Sequence, residues 1–273
     1  MVKIAILQMR SGIDPAANAA ALVDAIGQAA AGGAAMLFTP EMSGLLDSNR
    51  ERAGAVVRTE DDDLVLAAVR SAAKANGIWV HLGSLALREG DRLVNRGFVI
   101  DADGEVAARY DKMHLFDVDL PTGESWRESA VYQAGEAAVV VRGTPVGALG
   151  LTICYDLRFP AIFERLSEAG AEVIAVPAAF TVPTGKAHWH VLLRARAIEA
   201  GLFVVAAAQS GSHDDGRATF GHSLVVDPWG DVLVDGGDGE QLLFAEIDLA
   251  RNAEVAARIP VMEHRRDVPA VRD

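Results

Sequence analysis

Val146-Gly147-Ala148-Leu149-Gly150-Leu151-Thr152-Ile153-Cys154-Tyr155-Asp156-Leu157-Arg158-Phe159-Pro160 changes character at its cysteine. The apolar run up to Ile153 reads as a strand and the mixed stretch after Cys154 as a turn. Pro160 then opens a helix, where its fixed φ and missing N–H do no harm. A strand feeding a helix through a short turn is the repeating unit of an α/β sheet, and ligand sites in such sheets gather at the carboxyl ends of strands. Cys154 stands at such an end, beside a helix N-terminus that favours a thiolate or an oxyanion. A lone cysteine is also a common inert core residue, so this segment alone leaves both readings open.

The same alternation continues outward. The patterning predicts strands at Lys3–Gln8, Ala35–Thr39 and Trp79–Ser84, with helices at Ala16–Ala31 and Asp61–Asn76 between them. Ala102-Asp103-Gly104 predicts a hairpin joining Asn95–Asp101 to Glu105–Tyr110, and Gly143-Thr144-Pro145 a second joining Ala137–Val141 to Val146–Ile153. Helices follow at Pro160–Ala169 and Lys186–Glu199, strands at Ala171–Val176 and Leu202–Gln209, and a last hairpin turns at Asp227-Pro228-Trp229-Gly230 before Leu242–Ile247. This mixture predicts an α/β protein with helices covering mixed sheets. No Ser/Gly-rich linker divides residues 1–273, which predicts one domain. Met36-Leu37-Phe38-Thr39-Pro40-Glu41 and Val173-Ile174-Ala175-Val176-Pro177-Ala178 echo each other as apolar strands ended by proline, a weak sign of a duplicated half.

With 51% hydrophobic residues and only 10 prolines in 273, the chain is neither disordered nor of low complexity. A net charge of −13 opposes binding to nucleic acid and to anionic membranes. No charge-free apolar run approaches the ~20 residues a membrane helix needs. A single cysteine and the lack of a signal-peptide pattern lead us to expect a reducing cytoplasm. There is no G-x-G-x-x-G, and Gly185-Lys186 lacks the rest of a phosphate loop. Asp117, Asp119 and Glu128 are spaced like calcium-loop ligands, but Pro121 and Thr122 stand where a ligand and a glycine are needed. His188 and His190, two apart on a helix, point away from each other. No metal and no cofactor are therefore expected.

Two further residues give Cys154 chemical company. Glu41 follows Pro40 at a strand end, and Lys112 lies just past another strand in Tyr110-Asp111-Lys112-Met113-His114-Leu115-Phe116. A carboxylate could take the thiol proton and a lysine could stabilise an oxyanion, although spacing along the chain does not say whether they meet.

Those three segments closely resemble the motifs of the nitrilase, or carbon-nitrogen hydrolase, superfamily. Thr39-Pro40-Glu41 is similar to its glutamate motif, Tyr110 to Asp117 to its lysine motif, and Thr152 to Pro160 to its cysteine motif, in the family's order. Glu128, in Trp126-Arg127-Glu128-Ser129, falls where the family carries a second catalytic glutamate. The resemblance implies Cys154 as nucleophile, Glu41 as general base, and Lys112 with the Tyr155 N–H as oxyanion donors. It also implies that Glu128 orients Lys112, and that an αββα sandwich pairs in a dimer into an α-β-β-α-α-β-β-α stack. Tyr155-Asp156-Leu157-Arg158-Phe159 resembles the amidase-like Nit branch. Pro177 to His190, Arg194 to Glu199 and Arg258 to Arg266 resemble its deaminated glutathione amidases. Ala161 departs from the glutamate many relatives carry there.

The implied partner is a small amide beside a carboxylate-bearing acyl group. Arg158 is the candidate clamp, against an ordinary ion pair with Asp156 or Glu164. Thr181 is a candidate polar contact, against capping the next turn. Trp189 is read as packing at a subunit contact, and Arg194 and Arg196 as structural. The competing functions are an omega-amidase acting on 2-oxoglutaramate, an N-carbamoyl hydrolase, and a catalytically silent scaffold of the same fold.

Overall fold

A computed structural model describes residues 1–119, 123 and 125–266, so Pro121 and Thr122 lie outside the described residues. One sheet runs in the order Gln241–Ile247, Val2–Gln8, Met36–Phe38, Trp79–Glu89, Arg92–Ile100 and Val106–Asp111, with Tyr132–Gln133 added alongside Arg92–Ile100. The other runs Val232–Asp235, Leu224–Val226, Phe203–Ala206, Val173–Ala175, Gly147–Leu151 and Val139–Thr144. Each has three parallel strands at its centre with antiparallel neighbours on both sides. The echo between Met36–Glu41 and Val173–Ala178 thus has a structural counterpart, since Met36–Phe38 and Val173–Ala175 are each the middle strand of a parallel trio.

Strand alternation decides how the layers stack. Ile4, Ile6, Met36 and Phe38 face the second sheet and share a core with Leu149, Leu151 and Val205. Their neighbours Ala5, Leu7 and Leu37 face the other way, onto Leu22 and Ile26 of helix Pro15–Ala31 and Val69 of helix Leu64–Asn76. Helices Pro160–Glu168 and Val182–Ala200 cover the far side of the second sheet through Phe163, Leu166, Trp189 and Leu193. The result is the expected helix–sheet–sheet–helix sandwich, each fully buried large side chain contributing about 1.5–3 kcal/mol. Asp14 and Asp63 accept from Ala16 N and Leu66 N at the starts of the first two helices, and Gly77 closes the second at φ 60°.

Several elements differ from expectation. Helix Val182–Ala200 begins before Lys186, because Pro183 sits in its first turn rather than ending a loop. Helix Arg50–Val56 was not expected; in its seven residues only Ala53 and Val56 pack inward, and only partly buried, too short a stripe to read. Trp189 lies in the chain's own core, its indole N–H donating to His222 O at 2.7 Å. Arg265 folds back onto Glu164 and Glu168 of helix Pro160–Glu168. Among the described residues no helix is long and apolar enough to cross a membrane.

Gly83 lets the two proline-ended strands approach each other. A Cβ there would lie 2.2 Å from Thr39 O, 2.4 Å from Pro40 O and 2.6 Å from Pro177 Cβ. Backbone oxygens cannot swing aside, so Gly83→Ala is expected to lower stability by about 1–3 kcal/mol or more. It should also lower turnover, because the displaced segment carries Glu41; denaturant titration and kcat on one preparation check this. A second expectation concerns His81, buried beside Phe38, with Nδ1 unpartnered among the described residues and its pKa pushed down by burial to about 3. The unfolded chain binds this proton below pH ~6.5 and the folded one does not. Stability should therefore fall as pH drops from 6.5 toward 3, by up to about 1.4 kcal/mol per unit from this residue. His81→Phe should remove that slope, and an unchanged slope would contradict the assignment.

Candidate active site

Glu41, Lys112 and Cys154 come from three different strand ends. Glu41 follows strand Met36–Phe38, on a turn held where Gly83 N donates to Thr39 Oγ1 at 3.0 Å and Met42 N to Ser84 Oγ at 2.9 Å. Lys112 follows strand Val106–Asp111; its N–H reaches Asn95 O at 3.0 Å, and its own carbonyl accepts from Gly135 N at 2.8 Å. Cys154 opens the one-turn helix Cys154–Arg158, with its N–H bonded to Pro177 O at 2.9 Å. Its φ of 49° is a left-handed conformation that a β-carbon disfavours, the sharp bend that lifts a nucleophile off its strand.

Asp156, fully buried, holds that bend. Its carboxylate accepts from Tyr110 Oη at 2.7 Å and Ile153 N at 2.9 Å on one oxygen, and from His114 N at 3.0 Å on the other, with His114 Nδ1 at 2.7 Å. Tyr110 and His114 flank Lys112, so one carboxylate ties the lysine segment to the cysteine turn. Arg196 Nε adds a bond to Leu157 O at 3.0 Å.

The three side chains meet with Glu128. Lys112 Nζ donates to Glu41 Oε1 at 2.9 Å and to Glu128 Oε1 and Oε2 at 3.1 and 2.9 Å. Neutral N–H donors add to these bonds and reach the one oxygen the lysine leaves, Glu41 Oε2. Asn95 Nδ2 bridges Glu41 and Glu128 at 2.9 and 3.2 Å, Ala179 N reaches Glu41 Oε2 at 3.0 Å, and Phe116 N reaches Glu128 Oε2 at 2.7 Å. Burial works against the Lys112 charge, but Glu128 and Glu41 outweigh it and hold its pKa well above the ordinary value. Cys154 moves up too, chiefly through burial and then through the Glu41 charge, with Lys112 and the Ala179 N–H pulling the other way. The resting pair is a neutral thiol beside a carboxylate, the arrangement for proton transfer concerted with attack. Tyr155 N lies in the first turn of its short helix, where no intrahelical acceptor is available.

These residues line a cavity of about 460 Å³ that also reaches Arg158, Thr181, Trp126, Tyr132 and Arg217. Arg158 makes neither ion pair weighed above. Asp156 is committed to Tyr110 and His114, and Glu164 to Arg265. Its guanidinium lies 5.9 Å from the Tyr155 ring and 5.6 Å from that of Phe180, with Nη1 3.2 Å from His188 Nδ1. Thr181 occupies the N-cap of helix Val182–Ala200 without a side-chain cap bond, its hydroxyl 2.8 Å from Thr184 Oγ1. Away from the cavity, His190 and His222 both meet Asp235, at 2.9 and 2.8 Å, which satisfies the one group of ligand-type side chains among the described residues.

Asn95 escaped the sequence reading, although a polar residue between Val94 and Gly97 in a central strand is a signal of a buried polar role. The Ala179 and Phe116 amides left no signal, because any residue supplies a backbone N–H. The electrostatics yield a sign-specific expectation. Lys112→Met leaves two facing carboxylates, one of which must keep a proton in the folded state. The folded variant then binds more protons than the unfolded chain above the ordinary carboxylate range, so its stability falls as pH rises. A loss of about 3–5 kcal/mol at pH ~7, partly regained at pH ~5, is expected by denaturant titration; a loss independent of pH would contradict it.

The family pattern described as carbon-nitrogen hydrolase matches residues 3–257. A deaminated glutathione amidase of Yersinia enterocolitica is 40% identical, over 98% of this chain and 94% of its own. The crystal structure of the C. elegans NitFhit protein superposes with a TM-score of 0.90 at 38% identity, covering 97% of this chain and 65% of that one. An amidase from Nesterenkonia sp. AN1, solved with acrylamide added to its active-site cysteine, superposes with a TM-score of 0.80 at 28% identity, over 95% of this chain and 98% of that one. By matched length and by these relatives, this chain belongs to the carbon-nitrogen hydrolase family.

Proposed function

We propose that this chain hydrolyses deaminated glutathione, 2-oxoglutaryl-cysteinylglycine, through a thioester on Cys154. The observation that carries the reading is a buried neutral thiol beside Glu41 and Lys112, in a cavity walled by an arginine without a carboxylate partner among the described residues. The name of the Yersinia relative supplies the substrate.

In the first half-reaction Sγ forms a bond to the amide carbon as the thiol proton passes to Glu41. The carbonyl electron pair moves onto oxygen, facing Lys112 and the Tyr155 N–H. The Lys112 ammonium meets two carboxylates, Glu128 through both oxygens, so one N–H shared across Glu128 leaves a third for this oxygen. The oxyanion collapses, the C–N bond breaks, and the leaving nitrogen takes the proton from Glu41. In the second half-reaction Glu41 takes a proton from water, whose oxygen displaces Sγ to give 2-oxoglutarate and the thiol. Glu128 keeps Lys112 in place through both.

Arg158 would grip the acyl carboxylate, with Thr181 beside it. An omega-amidase acting on 2-oxoglutaramate would use the same catalytic groups. We also place the protein in the cytoplasm as a homodimer. Val191 and Ile198, exposed and seven apart on helix Val182–Ala200, support that pairing.

The test is 2-oxoglutarate release from deaminated glutathione and from 2-oxoglutaramate, with Cys154→Ala as control. Preference for deaminated glutathione, with loss of more than a hundredfold in Cys154→Ala and about 10²–10⁴-fold in Glu41→Gln at unchanged thermal stability, is expected. Preference for the free amide would favour the omega-amidase, and release from neither would remove both substrates.

A further inference from the structure

The cavity has a second cationic pole that the proposed catalysis leaves unused. Arg217 precedes strand Ala218–Phe220 and lines the cavity with its guanidinium 5.0 Å from the Trp126 ring. It is held rather than loose. Its Nε donates to Asp215 Oδ2 at 2.7 Å, and that carboxylate, whose side chain is fully buried, also accepts from Ser48 N at 2.8 Å and from Arg217 N at 3.1 Å. The bond uses Nε alone, so the terminal nitrogens keep the fork that grips a carboxylate.

Two neighbouring donors lack partners among the described residues. Trp126 Nε1 is buried without a hydrogen bond, and so large a desolvation of a ring N–H is ordinarily compensated by an acceptor. Tyr132 lines the same cavity, and its hydroxyl makes no hydrogen bond among the described residues. Burial first, and then Glu128, push its phenol above the ordinary value, which keeps the O–H a donor at neutral pH. The Arg217 terminal nitrogens and the Trp126 N–H can only donate, and the Tyr132 hydroxyl can donate beside them, a set on one cavity that suits an anion.

Their position relative to Arg158 matters. From Arg158, 5.9 Å from the Tyr155 ring, a chain of aromatic contacts runs to Phe116 at 5.0 Å, on to Trp126 at 6.4 Å, and ends at Arg217. Its middle is tied to the catalytic group, since Phe116 N donates to Glu128. One arginine therefore stands at each end of a row of three rings whose middle member, Phe116, is joined through its backbone N–H to Glu128. A substrate lying along it with its amide at Cys154 would meet a cation at both ends. Arg158 neighbours the nucleophile turn itself and suits the shorter acyl arm; Arg217, two rings farther, suits the longer amine arm.

We propose that Arg217, with Tyr132 Oη–H and Trp126 Nε1–H, forms a leaving-group subsite for an amine that carries its own carboxylate. The inference rests on the proposed amidase reading and makes the enzyme selective for amides flanked by carboxylates on both sides. It gives deaminated glutathione, whose amine half ends in the glycine carboxylate, a contact that 2-oxoglutaramate, which releases ammonia, does not have.

Two measurements test it. In the Cys154→Ala protein, calorimetry compares cysteinylglycine with cysteinylglycinamide, which lacks only the terminal charge. The acid should bind roughly tenfold tighter, the size of one charge-assisted contact, and Arg217→Gln should abolish the difference. In the active enzyme, Arg217→Gln should lower the ratio of kcat/KM for deaminated glutathione to that for 2-oxoglutaramate by roughly ten- to a hundredfold. Arg217→Lys should retain part of that preference, which a merely structural arginine would not predict. Equal affinity for the acid and the amide, undetectable binding of the acid, or an unchanged kcat/KM ratio would overturn the subsite. Failure of the wild-type enzyme on both substrates would instead sink the amidase reading, while the calorimetric comparison would still decide the subsite.

Discussion

The Lys112 ammonium between Glu41 and Glu128 is the interaction on which the rest of the site depends. All three side chains are almost withdrawn from water, with 3%, 6% and 12% of their surfaces exposed. Two facing carboxylates in such a place cannot both stay ionised without a cation between them. The lysine leaves one excess negative charge, which the fold meets with N–H groups from Asn95, Ala179 and Phe116 rather than with a second cation. These donors come from a strand of the first sheet, a loop of the second and the lysine segment. The charge balance of the site is thus also a requirement on how the two sheets face each other.

That balance explains how a cysteine can serve here without a thiolate at rest. Many cysteine nucleophiles are activated by a cationic neighbour that lowers the thiol pKa. Here burial and the Glu41 carboxylate hold the proton on sulfur, and in the proposed reaction the same carboxylate is the base that removes it during attack. The positive-φ bend at Cys154 and the four donors converging on Asp156 keep sulfur, carboxylate and ammonium in register before substrate arrives.

Much of this was legible in the sequence where local rules govern. Pro40 and Pro177 end apolar strands, Pro160 opens a helix, and the Ala102-Asp103-Gly104 turn joins the antiparallel strands Arg92–Ile100 and Val106–Asp111. The paired acid–base residues could be read singly, and the family resemblance brought them together. What was not legible depends on contacts between segments far apart. Gly83 is required by carbonyls some forty residues upstream and by Pro177 of the other sheet. Asn95 signals a buried polar role in its strand, but its partners show only when both carboxylates arrive. Arg217 lies in a polar stretch, His213 to Arg217, and acquires meaning only when Trp126 lies under it. Helix Val182–Ala200 starts four residues before the expected Lys186, with Pro183 in its first turn.

The central claim is a covalent acyl group on Cys154 formed with Glu41 as base. The most direct measurement is intact-protein mass spectrometry after rapid mixing with deaminated glutathione and acid quench. The account predicts one 2-oxoglutaryl group added to the protein within the first turnover, located by peptide mapping on Cys154, absent from Cys154→Ala and much slower to form in Glu41→Gln. Release of 2-oxoglutarate without any acylated protein, or an acyl group carried by another residue, would contradict it.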